Sequence, residues 1–206
     1  RGLSIHDATC PIVKRIHKLA KEYSSKSYTL ILIGHKDHPE IIGTAGRIKG
    51  KCVIVEKPSD ANSIKPEKGE KFISLTQTTL TPEETREIYK SLKKKLGKRL
   101  APLKDNICYA TKQRQDAVKK IAPKCDLFLV IGSKNSSNSR RLKEIAERCG
   151  SRAILIEDEN FLREKMLNGV KTIGISSGAS APEKLVKSVI KKMQKWGWTL
   201  SKKKQI

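Results

Sequence analysis

DNICYATKQRQDAVKKIAPKCDLFLVIGSKNSSNS, residues 105–139, sets a Cys at a turn, a helical pattern, an apolar strand and a loop of Gly, Ser and Asn in that order. The same plan occurs earlier, at residues 7–41, as DATCPIVKRIHKLAKEYSSKSYTLILIGHKDHPEI. Asp7 and Asp105 are 98 residues apart, and so are Cys10 and Cys108, and Gly34 and Gly132. An offset held over that span is an internal repeat, which governs the reading of everything else. On this register His38 corresponds to Ser136 and Glu40 to Asn138. One scaffold thus carries different polar groups at matching loop positions, which points to a site between the two copies.

Working outward, both copies continue with alternating strands and helices. In the first, Pro11 suits a first helical position, where its missing N–H costs nothing. Ile12, Val13, Ile16 and Leu19 then follow at helical spacing. YTLILIG (28–34) is an unbroken apolar run, as a buried parallel strand requires. A second helix is predicted from Pro39, strands over 52–57 and 72–77, and one short helix at most over 57–71. Thr81 and Glu84 form a capping-box pattern at the start of a helix running to Leu96. The second copy is predicted as helix 109–122, strand 127–132, helix 138–148, strand 153–158, a short helix 160–167, strand 171–176 and helix 181–196. Gly150 and Gly197 stand where helices stop. A short strand at 2–6 is expected to open the chain.

VIVE (53–56) matches ILIE (154–157), and TLTPE (79–83) matches ASAPE (179–183), at offsets of 101 and 100, so some loops have changed length. This pattern predicts an α/β fold of two pseudo-symmetric αβ domains with mainly parallel sheets, spanning 1–102 and 103–198, followed by a basic tail at 199–206. In such sheets ligands gather beyond the carboxyl ends of the strands, at helix N-termini.

A length of 206 residues allows two domains of about 100 residues each. The formal net charge of +23, from 44 Lys and Arg against 21 Asp and Glu, has two readings. One is an anionic partner: nucleic acid, a membrane surface or a phosphorylated metabolite. The other is a solvated Lys-rich surface, as in SLKKKLGKR (91–99) and IKKMQKW (190–196). Two Trp, four Tyr and three Phe leave little to stack on bases, which argues against nucleic acid. No run approaches the roughly 20 apolar residues of a membrane span. Five Cys without a CxxC pair or an export signal point to a reducing cytoplasm rather than a disulfide framework.

Cys10 and Cys108 occupy equivalent turns. Two thiols placed by pseudo-symmetry can converge on a soft metal or an iron–sulfur cluster, or each can simply pack a turn. Cys52, Cys125 and Cys149 lack such matching and read as structural. His38 and Glu40 begin a helix, where a Glu either transfers protons or complements the helix dipole. His35 reads as a loop residue. Ser133 to Ser139 is a dense run of neutral donors feeding a helix, suited to a phosphate, and Ser176 to Ser180 and Gln77 to Thr79 repeat the arrangement. There is no GxxxxGK[ST] and no GxGxxG.

Several motifs in order carry a resemblance: DATCP (7–11), HPE (38–40) with Gly43-Thr44, TQTTL (76–80), ICYAT (107–111) with Arg114-Gln115, GSKNSSNS (132–139) and GASAPE (178–183). They resemble the 4-hydroxy-3-methylbut-2-enyl diphosphate reductase family, over residues 4 to about 192. The resemblance implies three αβ domains around a [4Fe-4S] cluster held by three cysteines. Cys10 and Cys108 would be two of the ligands and Glu40 the proton donor. Thr79 would support the substrate hydroxyl and His38 would line the pocket, while Ser136, Ser137, Asn138 and Ser180 would bind the diphosphate. The implied chemistry is two-electron reductive loss of an allylic hydroxyl, giving isopentenyl and dimethylallyl diphosphate. An external electron donor such as ferredoxin or flavodoxin would act as partner.

The family's first domain, with the third cysteine, lies upstream of DATCP. The chain is therefore expected to hold two of three domains, with the rest in a longer protein or on a separate chain, the third reading being a decayed paralogue; the intact GSKNSSNS and HPE motifs favour incompleteness over decay. The competing expectation is a non-catalytic module that binds a phosphorylated ligand or RNA.

Overall fold

The computed structural model describes residue 4 and residues 6–103 and 106–201. The strand expected at 2–6 rests on Gly2, Leu3 and Ile5, which lie outside the described residues, as do Asp105 and the tail from Lys202.

The chain divides into two compact units, Arg1–Cys108 and Tyr109–Ile206. The first runs α1 (Pro11–Ser25), β1 (Thr29–Ile33), α2 (Pro39–Ala45), β2 (Cys52–Val55), β3 (Phe72–Thr76) and α3 (Pro82–Leu96), with a 3-10 turn over Pro58–Ser63. The second runs α4 (Tyr109–Ile121), β4 (Leu127–Ile131), α5 (Ser137–Arg148), β5 (Arg152–Ile156), β6 (Ile173–Ser177) and α6 (Glu183–Lys195). Each unit contains one three-stranded parallel sheet, ordered β2-β1-β3 and β5-β4-β6.

The apolar runs explain why β1 and β4 are central. All five residues of each are buried, so both faces must be covered and both edges paired. In the first unit Ile31 and Ile33 pack towards α3, in a cluster with Leu92 and Leu96, while Leu30 and Leu32 pack towards α1 with Ile16 and Ala20. The second unit does the same with Phe128 and Val130 on one face and Leu127, Leu129 and Ile131 on the other.

The repeat extends to single hydrogen bonds. Gly34 N–H donates to Val55 O at 3.1 Å, and Gly132 N–H to Ile156 O at 2.9 Å. Gln77 N–H donates to Ile33 O, and Gly178 N–H to Ile131 O. Lys36 N–H meets the Glu56 carboxylate and Lys134 N–H the Glu157 carboxylate.

Proline sets the helix starts of the first unit. Pro11, Pro39 and Pro82 each occupy the first helical position, and the residues before them, Cys10, His38 and Thr81, have ψ of 133°, 133° and 150°. A residue preceding proline is sterically excluded from the helical region, so the X-Pro pairs stop each helix from extending backward. Thr81 and Glu84 form the expected capping box. The helix expected at 160–167 is instead two 3-10 turns, Glu159–Phe161 and Glu164–Leu167. Only Leu162 and Leu167 of that stretch are buried, and a five-residue spacing cannot form the stripe that a packed α-helix needs.

Gly174 on β6 tests the packing. A Cβ there would lie 2.5 Å from Phe128 Cδ2 and 3.0 Å from Cys125 Sγ, and the Phe128 ring is fully buried. Gly174→Ala is expected to destabilise the fold by about 1–3 kcal/mol in urea denaturation. Gly43→Ala, whose Cβ would meet nothing nearer than 3.8 Å, should be neutral or stabilising by under about 1 kcal/mol.

Candidate functional site

In the first unit the candidate residues cluster beyond the carboxyl ends of the strands. Cys10 caps α1 with an exposed, unbridged thiol, and its carbonyl accepts the Lys14 N–H. Its turn is held by Asp7, which accepts the Thr9 N–H and pairs with Lys14 at 2.8 Å. His38 caps α2, and its Nδ1 accepts the Glu40 N–H at 3.2 Å. That bond fixes the tautomer, because the accepting nitrogen cannot carry the proton.

Glu40 is held by a residue that the sequence reading did not single out. Thr78 donates its N–H to Oε1 at 2.9 Å and its hydroxyl to Oε2 at 2.8 Å, so both carboxylate oxygens are clamped by one residue. Burial pushes the Glu40 carboxyl above the ordinary glutamate range, and the two Thr78 bonds oppose that rise without cancelling it. Thr79 is placed differently: its hydroxyl accepts from Gln77 Nε2 at 2.7 Å, and Gln77 Oε1 in turn accepts the His35 N–H.

Thr78 also reaches the second cysteine. Its carbonyl accepts the Cys108 N–H at 3.1 Å. The segment leading there is pinned along β3: Ala101 N–H donates to Phe72 O, and Asn106 N–H to Thr76 Oγ1. Cys108 therefore packs with the first unit, joined through a single residue to the acid.

Sequence did hold a signal for Thr78. The strands β3 and β6 are related by 101 residues, Ser74 and Ile175 both lying opposite the matched pair Ile31 and Leu129, whereas TLTPE and ASAPE are related by 100. Gln77 matches Gly178 through its hydrogen bond to the central strand, so Thr78 is the one residue that the first copy has in excess. The inserted residue is the one that clamps Glu40.

The second unit gathers the neutral donors. Ser136 caps α5 and its hydroxyl oxygen accepts the Ser139 N–H at 3.3 Å. Ser137 begins the helix. Asn138 is 7% exposed, and neither its Nδ2 nor its Oδ1 has a hydrogen-bond partner among the described residues. Leaving a buried amide unmatched costs about 1–3 kcal/mol. Ser180 is exposed in the turn after β6. The two loops are brought together by absent side chains: a Cβ on either Gly132 or Gly178 would collide with Ser139 Oγ. Arg114 adds a cation at the end of β6, its Nε donating to Ser177 O at 3.0 Å.

The remaining cysteines do not resemble Cys10. Burial pushes the Cys52 thiol up to about 11 and raises Cys125 as well, which fits packing roles. The described residues contain no group of three or more His, Cys, Asp and Glu placed to hold a metal.

A family model described as LytB protein matches residues 1–194. The chain belongs to the LytB protein family. It is 46% identical over 198 residues to the 4-hydroxy-3-methylbut-2-enyl diphosphate reductase of Acidithiobacillus ferrooxidans, covering 96% of this chain and 63% of that protein. The enzyme of the same name from Methylococcus capsulatus is 44% identical, with 96% and 64% covered. Among solved structures, the E-1-hydroxy-2-methyl-but-2-enyl-4-diphosphate reductase of Plasmodium falciparum superposes with a TM-score of 0.84 at 34% identity, covering 91% of this chain and 59% of that one. The chain thus spans a little under two thirds of the length of these curated relatives, and the α/β architecture of its parallel sheets is that of the family.

The Glu40 environment makes a signed prediction. Its carboxyl is raised in the fold, so any stability it gives is present below the unfolded pKa and lost as pH rises through the folded one. Glu40→Gln stays neutral and should therefore gain on the parent in urea midpoint as pH climbs from the ordinary glutamate range upward. In carbon-13 titrations the Glu40 midpoint should rise further in Thr78→Val, which removes a bond favouring the charged form. A midpoint unmoved by that change would show that the hydroxyl does not bear on Glu40.

Proposed function

We propose that this chain supplies the acid and the diphosphate-binding loops of a reductase that converts 4-hydroxy-3-methylbut-2-enyl diphosphate to isopentenyl and dimethylallyl diphosphate. The reading is carried in the first unit by a clamped, raised carboxyl at Glu40, and it is supported in the second by a buried amide at Asn138 with no partner among the described residues. One holds its proton to higher pH than an ordinary glutamate does, and the other is placed to receive a ligand.

Overall, two electrons and two protons remove the hydroxyl as water and leave a C–H bond in its place. Glu40 protonates the departing oxygen. Its raised pKa keeps the proton available, since a general acid works best with a pKa near the operating pH. Thr78 fixes the carboxyl, so the proton starts from a defined position. His38, whose Nδ1 accepts the Glu40 N–H, would line the pocket beside the acid. The diphosphate is taken by Asn138 with Ser136, Ser137 and Ser180. A helix N-terminus such as that of α5 offers backbone N–H groups to an anion, and neutral donors bind a charged head without a fixed countercharge that would slow release.

Cys10 and Cys108 suit a [4Fe-4S] cluster in chemistry, being free thiols near the strand ends. They number two, one short of the three that the family resemblance implies, and the described residues contain no group of three or more His, Cys, Asp and Glu placed to hold a metal. The described residues alone therefore do not complete that site. In the family reading the cluster supplies the electrons, fed by an external donor such as ferredoxin or flavodoxin. The remaining ligand would come from the part of the fold that the relatives have and this chain does not span.

Two measurements test the reading. Binding of inorganic pyrophosphate to this chain by calorimetry should weaken by about tenfold or more in Asn138→Ala and be unchanged in Glu40→Gln. With the missing part of the fold supplied and a chemical reductant present, Glu40→Gln should lower kcat by about 10²–10⁴-fold. Full turnover by that variant would remove Glu40 from the mechanism.

A further inference from the structure

Away from these loops, the second unit contains a cavity of about 620 Å³, and none of its lining residues is among the candidates above. It lies against β6, the outer strand of the sheet, between the end of α4, the last turns of α6 and the segment Trp198–Ser201. The volume falls within the usual range for small-molecule sites, roughly 300–1,000 Å³.

Its chemistry is two-sided. Ile121, Ile173, Ile175, Ile190 and Met193 supply apolar walls, and Ile173 and Ile175 pack with Met193 in the core cluster on one face of the sheet. Trp198 and Leu200 also line it, Leu200 being 61% exposed. The polar contribution is dominated by three lysines, Lys120, Lys124 and Lys171. None of the three ammonium groups makes an ion pair within 4.0 Å among the described residues. Asp126 stands beside Lys171: its carboxylate accepts the Lys171 N–H, the Thr172 N–H and the Thr172 hydroxyl, and the Lys171 charge stabilises it.

An apolar trough lined by three lysines, with one carboxylate beside Lys171, carries net positive charge and fits a molecule with an apolar chain and an anionic head. Three positive charges favour a multiply charged head over a single carboxylate, because each added unit charge contributes its own Coulomb attraction. A flat polar ligand such as a nucleotide would strand its base and ribose hydroxyls against isoleucines. We infer that this groove binds a long-chain prenyl diphosphate, with the chain along Ile173, Ile175 and Met193 and the diphosphate at Lys120, Lys124 and Lys171. The inference rests on the groove alone and does not depend on the reading of Glu40 or Asn138. If that reading also holds, the groove takes a distant product of the same chemistry and gives the chain a place for end-product control.

The experiment is a titration of this chain with farnesyl diphosphate, read by tryptophan fluorescence and calorimetry, against inorganic pyrophosphate and palmitate. Farnesyl diphosphate should change the emission, and Trp198→Phe should remove most of that change. Replacing all three lysines (Lys120→Gln, Lys124→Gln, Lys171→Gln) should weaken binding at least tenfold while circular dichroism stays that of the parent. Asn138→Ala should leave it within twofold. The inference is overturned if pyrophosphate binds the groove as tightly as farnesyl diphosphate, if palmitate does, or if the lysine changes have no effect. It is also overturned if Asn138→Ala abolishes binding, which would place the ligand in the serine loops instead. Pyrophosphate binding lost in Asn138→Ala, with farnesyl diphosphate binding kept, would separate the two sites outright.

Discussion

Everything in each unit follows from a five-residue strand that water does not reach. β1 and β4 are buried at every position, so each must be paired on both edges and covered on both faces. A parallel neighbour on either side satisfies the first demand, and helices satisfy the second. Because parallel strands need crossovers, all loops of one kind collect at the carboxyl ends. The chemistry is placed there by the needs of a strand that carries no chemistry itself.

That dependence also explains what could be read from residues alone. YTLILIG and LFLVIG declare themselves by unbroken apolar composition, and Pro11, Pro39 and Pro82 declare the helix starts, because both signals are local. The turn at Cys10 and the helix start at His38 to Glu40 were legible for the same reason, whereas the helix predicted from 138 begins at Ser137 with Ser136 as its cap. Thr78 was not legible, since its role lies in two bonds to a residue 38 positions away. Its trace was a one-residue difference between two repeat offsets, which becomes meaningful once the ladder register is known. The burial of Asn138 was equally hidden, because composition says nothing about whether an amide finds a partner. The stretch 160–167 was misjudged as helix, since its polar residues permit that and only packing decides.

The two copies show how a duplicated scaffold acquires different chemistry without losing its fold. At one pair of equivalent points the first unit sets Ile41 and Gln77 against Gly34, and the second sets Ser139 and Gly178 against Gly132. The larger pair fills the space beside the strand, and Gln77 goes on to brace His35 and Thr79. The smaller pair lets the first turn of α5 approach the loop after β6. An acid is fixed where the packing is full, and an amide is left unmatched where it is spare.

The short outer strands have a further consequence. β2 and β5 each pair on one side only among the described residues, and they are four and five residues long. Such edges invite a second copy to add its own strand, and brevity and flanking lysines are common defences. Lys49, Lys51 and Lys57 flank β2, and Arg152 opens β5. A chain with a net charge of +23 repels its own kind, and the lysines beside β2 put some of that charge at an open edge. Part of that charge is therefore accounted for as colloidal protection, which salt would weaken by screening.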